Sequence, residues 1–447
     1  MKKQKESRDF EQQSIPTEHR RGFWSMFVIM MGFTFFSASM FTGGAMGVGL
    51  NFKSFIIALI VGNLFLGIYT GLLAYAASRT QLSIHLLSHY AFGNKGSFIP
   101  SAVLAVTQIG WFGVGVAMFA LPTTAAIKPL LSSESWLVQG DNLLWIVVII
   151  AGLLMTSSAY WGIKALRIVS IIAVPAIAIL GFYSAIQALF FDHPAHIGAA
   201  ANGWQYLSMH APEAGQQITM VTAISMAIGS FISGGTCTPD FARYSKTTKI
   251  GVSTTMLAFF IGNSSMIAFG AVGAMIWGKA DISEVLILQG LLFAGIIVLG
   301  LNIWTTNDNA LYTSGLGLAN ITKLPKRYLV LVNGTVGTFA AIWLNNNFVG
   351  WLNILNTFIP PVGAILIVDY IICHRGIYKP LRETKFVNVN RAAVIAWACG
   401  TLIALISADK IPGLYIDLLS QSLPAVNGMV VAIVLYLILN KPLNKAT

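Results

Sequence analysis

Two apolar stretches of this chain are each interrupted by residues that break helices. The interruptions are residues 32–44 (GFTFFSASMFTGG) and 229–239 (GSFISGGTCTP). In lipid, an unpaired backbone group costs several kcal/mol, so a broken helix is tolerated only where the freed groups are buried in protein or line a cavity. Two breaks in corresponding halves of a chain are typical of a transporter's binding site. The pattern therefore predicts a protein that moves a small solute and catalyses no covalent reaction.

Composition places these breaks in a membrane protein. The chain is 56% hydrophobic and 10% charged, whereas a soluble domain carries about 25% charged residues. Apolar runs of about 18 residues or more indicate membrane-spanning helices, and we count roughly twelve. They lie near residues 24–50, 55–77, 98–126, 142–163, 167–191, 218–244, 250–278, 286–319, 328–344, 349–373, 391–408 and 414–439. The sequence thus predicts a single all-α integral membrane protein.

The formal net charge of +11 raises the question of nucleic-acid binding, but the distribution of the charges argues against it. Of the 27 Lys and Arg residues, all but Lys53, Lys128, Lys279 and Lys410 fall in segments on one side of the predicted spans. This bias follows the positive-inside rule and predicts that both termini are cytoplasmic. The basic charge therefore reflects membrane topology, and no nucleic-acid partner is expected.

The two breaks divide the chain into related halves. Five spans precede the second break, and because five is odd, the second half must enter the membrane from the opposite side, as an inverted repeat. The alternative is that glycines at each break only permit close helix packing. The predicted units are a cytoplasmic tail (1–23), the first repeat (24–191), an external loop (192–217), the second repeat (218–373), a cytoplasmic loop (374–390), transmembrane helices 11 and 12 (391–440) and a cytoplasmic tail (441–447).

The third span carries an amide and a large ring near its middle. Gln108 and Trp111 are three residues apart, so they share one helix face. Tryptophan is unusual at mid-membrane because it prefers the interfaces. The pair could form a flat apolar surface with a hydrogen-bonding edge, or it could fill core volume.

The eighth span contains a polar segment at residues 302–309 (NIWTTNDN). Polar side chains inside a membrane are costly and usually functional. Thr305 and Thr306 offer neutral oxygen atoms, the ligand type that hard cations prefer, and we extend this preference to Na⁺. Asp308 is the one carboxylate well inside this span. A structural role is favoured for Asp308, with a coupling proton as the alternative.

Five strings carry a family resemblance: residues 35–40, 108–118, 229–233, 299–312 and 346–351. They resemble bacterial members of nucleobase–cation symporter family 1, the purine–cytosine permease family. The resemblance covers nearly the whole membrane domain, and residues 301–312 are its most specific part. It implies a leucine-transporter-like five-plus-five inverted repeat with two extra transmembrane helices, in a bacterial inner membrane.

The resemblance also implies a function and a site. The protein would import cytosine by sodium symport through alternating access, and we expect a monomer. The pyrimidine would stack between Trp111 and Phe231. The groups around its edge would be Gln108, Ser230, Ser233, Gly234 and Asn302. The sodium ion would take the carbonyls of Gly32, Phe35 and Asn302 and the hydroxyls of Thr305 and Thr306.

A site without charged side chains suits cytosine, which is neutral at pH 7. A Gln108 amide that could turn over would match uracil equally well, so selectivity needs a neighbour that fixes the amide. Other substrates stay open as alternatives, namely a purine, hydantoin, allantoin or thiamine, and so does coupling to a proton through Asp308. A channel or an intramembrane enzyme is disfavoured, because the sequence shows neither a polar pore pattern nor a nucleophile–base constellation.

Overall fold

Helices make up nearly all of the regular structure. A computed structural model describes residues 13–161, 163–191 and 202–440. Within these ranges the one β-interaction is an isolated bridge between Arg21 and Ser245. The parts of the predicted tails and external loop at 1–12, 192–201 and 441–447 lie outside the described residues.

The helices of the first half begin with α1, which is separated from α2 by two residues. They are α1 (Phe23–Thr34), α2 (Ser37–Gly49), α3 (Phe52–Thr80), α4 (Ile84–Phe92), α5 (Phe98–Ile127), α6 (Asn142–Trp161), α7 (Ile163–Phe190) and α8 (Gly203–Met209).

The second half begins with a similar interruption, between α9 and α10. Two short π-helical segments, Ala258–Asn263 and Asp369–Cys373, follow α12 and α18. The helices are α9 (Met220–Gly229), α10 (Ile232–Thr236), α11 (Pro239–Ala242), α12 (Thr248–Leu257), α13 (Ser264–Trp277), α14 (Ile282–Leu288), α15 (Leu292–Thr322), α16 (Lys326–Asn346), α17 (Phe348–Phe358), α18 (Pro360–Val368), α19 (Arg391–Ser407), α20 (Asp417–Ser420) and α21 (Pro424–Leu439).

The described helices account for the predicted spans. Seven are long and apolar enough to cross a membrane, and the number rises to nine when each of two bent pairs counts as one span. The other three predicted spans correspond to α15, which has 31 residues but a polar middle, and to the shorter apolar helices α19 and α21. The division into repeats at 24–191 and 218–373 stays a prediction.

The first break lies between Thr34 and Ser37, where the axes of α1 and α2 differ by 51°. The Thr34 hydroxyl donates to the carbonyls of Met30 and Met31, both at 3.2 Å, a local bond that competes with the helix ladder. Phe36 is extended, with φ −116° and ψ 123°. The amide of Ser37 therefore has no helical acceptor and must find one elsewhere.

The second break has the same form. The axes of α9 and the segment Ile232–Ala242 differ by 50°, and Phe231 leaves helical geometry with φ −138° and ψ 2°. Pro239 then begins α11, at a position where its missing N–H costs nothing. Each apolar span thus bends near its middle and exposes backbone groups there.

Close packing of α2 against α13 holds the first break in place. A Cβ atom on Gly43 would lie 1.9 Å from the Ile267 carbonyl oxygen, and one on Gly270 would lie 1.9 Å from that of Met40. Backbones can approach this closely in a membrane bundle only where residues are small. Side chains at these two positions would push the helices apart.

Candidate substrate and cation site

A cavity of about 490 Å³, including open space at its mouth, lies between the two breaks and helices α5 and α15. Among the described residues, no ionisable side chain other than a thiol lines this cavity, so it suits a neutral solute. The lining residues are Phe33, Phe36, Gln108, Trp111, Ser230, Phe231, Gly234, Cys237, Thr306, Asn307, Asn309, Ala310 and Thr313.

Aromatic rings from three elements form the apolar wall. Trp111 on α5 and Phe231 at the second break both line the cavity. Stacking of a substrate between them stays a prediction. Phe36, from the first break, contacts both rings edge to face, at centroid distances of 5.6 Å to Trp111 and 6.2 Å to Phe231. Phe33 packs edge-on against Phe231 at 5.2 Å. The wall therefore contains two more rings than the predicted pair.

The polar edge of the cavity belongs to Gln108 and Ser230. The Gln108 Nε2 atom donates to the Ser233 hydroxyl at 2.9 Å and approaches the Cys237 sulfur at 4.0 Å. Ser230 donates its hydroxyl proton to the Ala227 carbonyl at 2.8 Å, which leaves its lone pairs as acceptors. Ser233 is fully buried and does not line the cavity; its hydroxyl contacts the Gln108 amide and the Thr107 hydroxyl.

Asn302 on α15 lies next to the first break but does not line the cavity. Its Oδ1 atom accepts from the Ser37 amide and hydroxyl, both at 2.8 Å, and its Nδ2 atom donates to the Phe35 carbonyl at 2.6 Å. The side chain thus satisfies backbone groups that the break releases. Contact of Asn302 with a substrate stays a prediction.

Two of the side chains predicted to bind sodium, Thr305 and Thr306, lie against the Asn302 backbone carbonyl. The hydroxyls of Thr305 and Thr306 donate to it at 2.8 and 3.0 Å, and their lone pairs remain for a cation. The Gly32 carbonyl is released by the break, because the Phe36 amide donates to Thr34 instead. Neutral oxygens from a helix break and two hydroxyls fit a hard cation, so the donor set fits Na⁺.

Asp308 faces away from the cavity. Its Oδ1 atom accepts the Ser158 hydroxyl of α6 at 2.8 Å. The Trp304 indole N–H donates to the same hydroxyl at 2.7 Å. The carboxyl group therefore takes part in a bond between α15 and α6, which agrees with the structural role favoured from the sequence.

A buried amide, Asn263, joins the two breaks. Its Oδ1 atom accepts the Ser39 hydroxyl at 2.6 Å. Its Nδ2 atom donates to Asn63 Oδ1 at 2.8 Å and to the Ser230 hydroxyl at 3.3 Å. Sequence reasoning missed this junction. Asn63 and Asn263 each lie alone inside an apolar span. A polar side chain in such a place indicates a buried polar contact, and this was the available signal.

Several lining residues were also missed. Phe33 and Phe36 belong to the first break and Asn307 and Asn309 to the polar segment of α15, so their segments were identified but not their roles. Ala310 and Thr313 follow Thr306, which lines the cavity, by one and two helical turns and therefore share its face. Cys237 lies one turn after Ser233, which does not line the cavity, so helical spacing from the predicted residues does not identify it.

The geometry defines a class of protein: a membrane transporter, in which two broken helices in a multi-span bundle surround a cavity for a neutral solute. The chain belongs to the family of permeases for cytosine/purines, uracil, thiamine and allantoin, whose model matches residues 14–438. The family membership predicted from the five strings is confirmed.

Known relatives agree with this assignment. The chain is 45% identical over 440 residues to the cytosine permease of Escherichia coli (strain K12), covering 98% of this chain and 96% of that protein. It is 24% identical over 374 residues to the hydantoin permease of Microbacterium maritypicum, covering 75% and 71%. It also matches the structure of Mhp1, a nucleobase-cation-symport-1 family transporter, in a closed conformation with bromovinylhydantoin bound. For that structure the TM-score is 0.76, the identity 20%, and the coverage 96% and 94%. The predicted fold is thereby confirmed.

Proposed function

We propose that this protein is a secondary active transporter that imports cytosine by sodium symport through alternating access. It would act in a bacterial inner membrane as a monomer, with both termini cytoplasmic. The observation that carries this proposal is a cavity whose described lining has aromatic rings and no charged side chain, with the neutral hydroxyls of Thr305 and Thr306 on α15 beside the first helix break.

The cavity wall supports a flat heterocycle as substrate. Stacking of a base on an aromatic ring is worth about 1–3 kcal/mol by alanine substitution. Trp111 and Phe231 offer such surfaces, and the amide of Gln108 offers hydrogen bonds at their edge. Cytosine is favoured over a purine, hydantoin, allantoin or thiamine because the cytosine permease is the far more similar relative, at 45% identity against 24% for the hydantoin permease.

The first break supports coupling between substrate and ion. Phe36 lines the cavity, while Gly32 and Phe35, on the same short segment, would supply their carbonyls to the ion. The Phe35 carbonyl is already held against α15 by the side chain of Asn302. A sodium ion would add a positive charge that fixes this segment relative to α15. If the ion and cytosine each stabilise one arrangement of the break, each must raise the affinity of the other by the same factor.

The test is uptake of labelled cytosine into proteoliposomes, with and without a Na⁺ gradient. Wild-type protein should show saturable uptake and counterflow that the gradient stimulates, whereas a channel would show no counterflow. The double variant Thr305→Val, Thr306→Val should bind cytosine weakly and lose the response to Na⁺. The matched control Thr305→Ser, Thr306→Ser keeps both hydroxyls and should keep the response. Uptake that ignores Na⁺ and follows a pH gradient would contradict the sodium assignment.

A further inference from the structure

The orientation of the Gln108 side-chain amide determines which base can form hydrogen bonds with it in the cavity. Turned one way, the amide presents the acceptor Oε1 to the cavity, and turned the other way it presents N–H donors. Cytosine carries an amino group, a donor, at the ring position where uracil carries a carbonyl, an acceptor. A fixed amide would therefore discriminate between the two pyrimidines, and a free amide would not.

A chain of three buried side chains leads away from the cavity behind Gln108. Its Nε2 atom lies 2.9 Å from the Ser233 hydroxyl. That hydroxyl lies 2.8 Å from the Thr107 hydroxyl. The Thr107 hydroxyl in turn donates to the carbonyl of Leu104, one turn earlier on α5, at 3.0 Å. Thr107 is 4% exposed and Ser233 is 0% exposed, so water does not compete for these bonds.

The hydroxyl protons fix the direction of this chain, because each hydroxyl has one proton to donate. Thr107 uses its proton on the Leu104 carbonyl and can only accept from Ser233. Ser233 then uses its proton on Thr107 and offers only lone pairs to Gln108. The amide must therefore place its NH₂ group against Ser233, which leaves Oε1 for the cavity that Gln108 lines. The reverse direction costs one of these bonds: either Thr107 gives up its bond to Leu104, or the Ser233 and Thr107 oxygens face each other at 2.8 Å with no proton between them.

We propose that Thr107, which does not line the cavity, is a positioning residue that selects 4-amino over 4-oxo pyrimidines. It acts through Ser233 by holding the Gln108 Oε1 atom toward the amino group of the base. This inference rests on the proposed function, since it names the determinant of substrate choice at the same site. A base with the opposite edge would leave buried polar groups unpaired, which is how such sites reject analogues.

The test measures inhibition of labelled cytosine uptake by unlabelled cytosine and by uracil, and takes the ratio of the two inhibition constants. In Thr107→Val the shape of the side chain is kept but the hydroxyl is lost, so Ser233 can donate to Gln108 and the amide can turn. The preference for cytosine should fall roughly fivefold or more, the weight of one net hydrogen bond. Thr107→Ser keeps the hydroxyl and should keep the wild-type ratio.

Ser233→Ala is the second variant and should lose the preference in the same way, because it cuts the chain at its middle. If Thr107→Val does not fold, the inhibition ratio of Ser233→Ala tests the inference in its place. A merely structural role for Thr107 would lower the amount of active protein and leave the ratio unchanged. An unchanged ratio in the folded variants would overturn the inference while the proposed function stands. Failure of the wild type to transport cytosine would instead contradict the proposed function, and the inference with it.

Discussion

Asn302 supplies Ser37 with the hydrogen-bond partner that a continuous helix would have provided. Its Oδ1 atom accepts both the backbone amide and the hydroxyl of Ser37 at 2.8 Å. The Nδ2 atom of the Asn302 side chain donates to the Phe35 carbonyl at 2.6 Å. Thr305 and Thr306 donate to the backbone carbonyl of Asn302. Asn302 on α15 is therefore bonded both to the first break and to the two hydroxyls predicted to bind sodium.

Replacing Asn302 should therefore destabilise the bundle. In Asn302→Leu the Ser37 amide and the Phe35 carbonyl lose their partner inside the protein, at a cost of about 1–3 kcal/mol for each unpaired group. Asn333→Leu is the matched control: Asn333 is equally buried, but its Nδ2 atom donates to the Ser314 side chain and to no backbone group. Thermal unfolding in detergent, followed by intrinsic fluorescence, should show the larger loss in Asn302→Leu. Equal losses would mean that Asn302 does not support the break.

We expect Trp111 to contribute to cytosine binding mainly through stacking of its indole ring. We expect Trp111→Ala to lose most cytosine affinity, since stacking on a base is worth about 1–3 kcal/mol, and Trp111→Phe to retain part of it. Trp343→Ala is a suitable control because Trp343, on α16, is 61% exposed and does not line the cavity. Calorimetric titration with cytosine measures all three variants. Wild-type affinity in Trp111→Ala would remove Trp111 from the site.

Local chemistry was enough to predict the spans and the breaks. The apolar runs follow from composition, and the breaks follow from glycine, hydroxyl residues and proline placed inside them. The structure bends the chain at both places, by 51° and 50°. These features depend only on residues near one another in the sequence, which is why they could be predicted without knowing the packing.

Partners across the bundle could not be predicted in this way. The described partners of Ser233 are Gln108 and Thr107, and those of the Asn302 side chain are Ser37 and Phe35. None of these partners was expected from the sequence, and contact of either residue with a substrate stays a prediction. Which side of a helix faces the cavity depends on the rotation and crossing of helices distant in sequence. An apolar span with one buried Asn does not specify that geometry.

Asp308 provides a test of the coupling ion. In Asp308→Asn the side chain keeps an oxygen that can accept the Ser158 hydroxyl, which donates to Oδ1 at 2.8 Å, but it can no longer carry a proton. If the group only joins α15 to α6, this variant should keep Na⁺-stimulated cytosine uptake, while Asp308→Leu should lose stability. Uptake in proteoliposomes and thermal unfolding measure the two effects. Loss of gradient-driven uptake in a stable Asp308→Asn protein would favour proton coupling.

The last prediction concerns His210, which follows α8 in the connection between α7 and α9. Its Nε2 atom lies 3.2 Å from the Gly47 carbonyl near the end of α2, so Nε2 carries the proton and donates. The Nδ1 atom is buried and has no hydrogen-bond partner among the described residues. Burial lowers the pKa of His210 below its usual value of 6.5, although the bond to Gly47 partly opposes this shift. A second proton on the ring would be buried without an acceptor.

The sign of the pH dependence follows from linkage. Because the folded pKa lies below the unfolded one, folding releases protons from His210 between the two values. The contact of His210 with Gly47 should stabilise the fold most above about pH 6.5, and this contribution should be lost as the pH falls through the folded pKa. His210→Gln keeps an N–H donor for Gly47 but cannot titrate, so its melting temperature should fall less than that of the wild type between neutral and mildly acidic pH. Parallel curves for the two proteins would show that His210 does not control this contact.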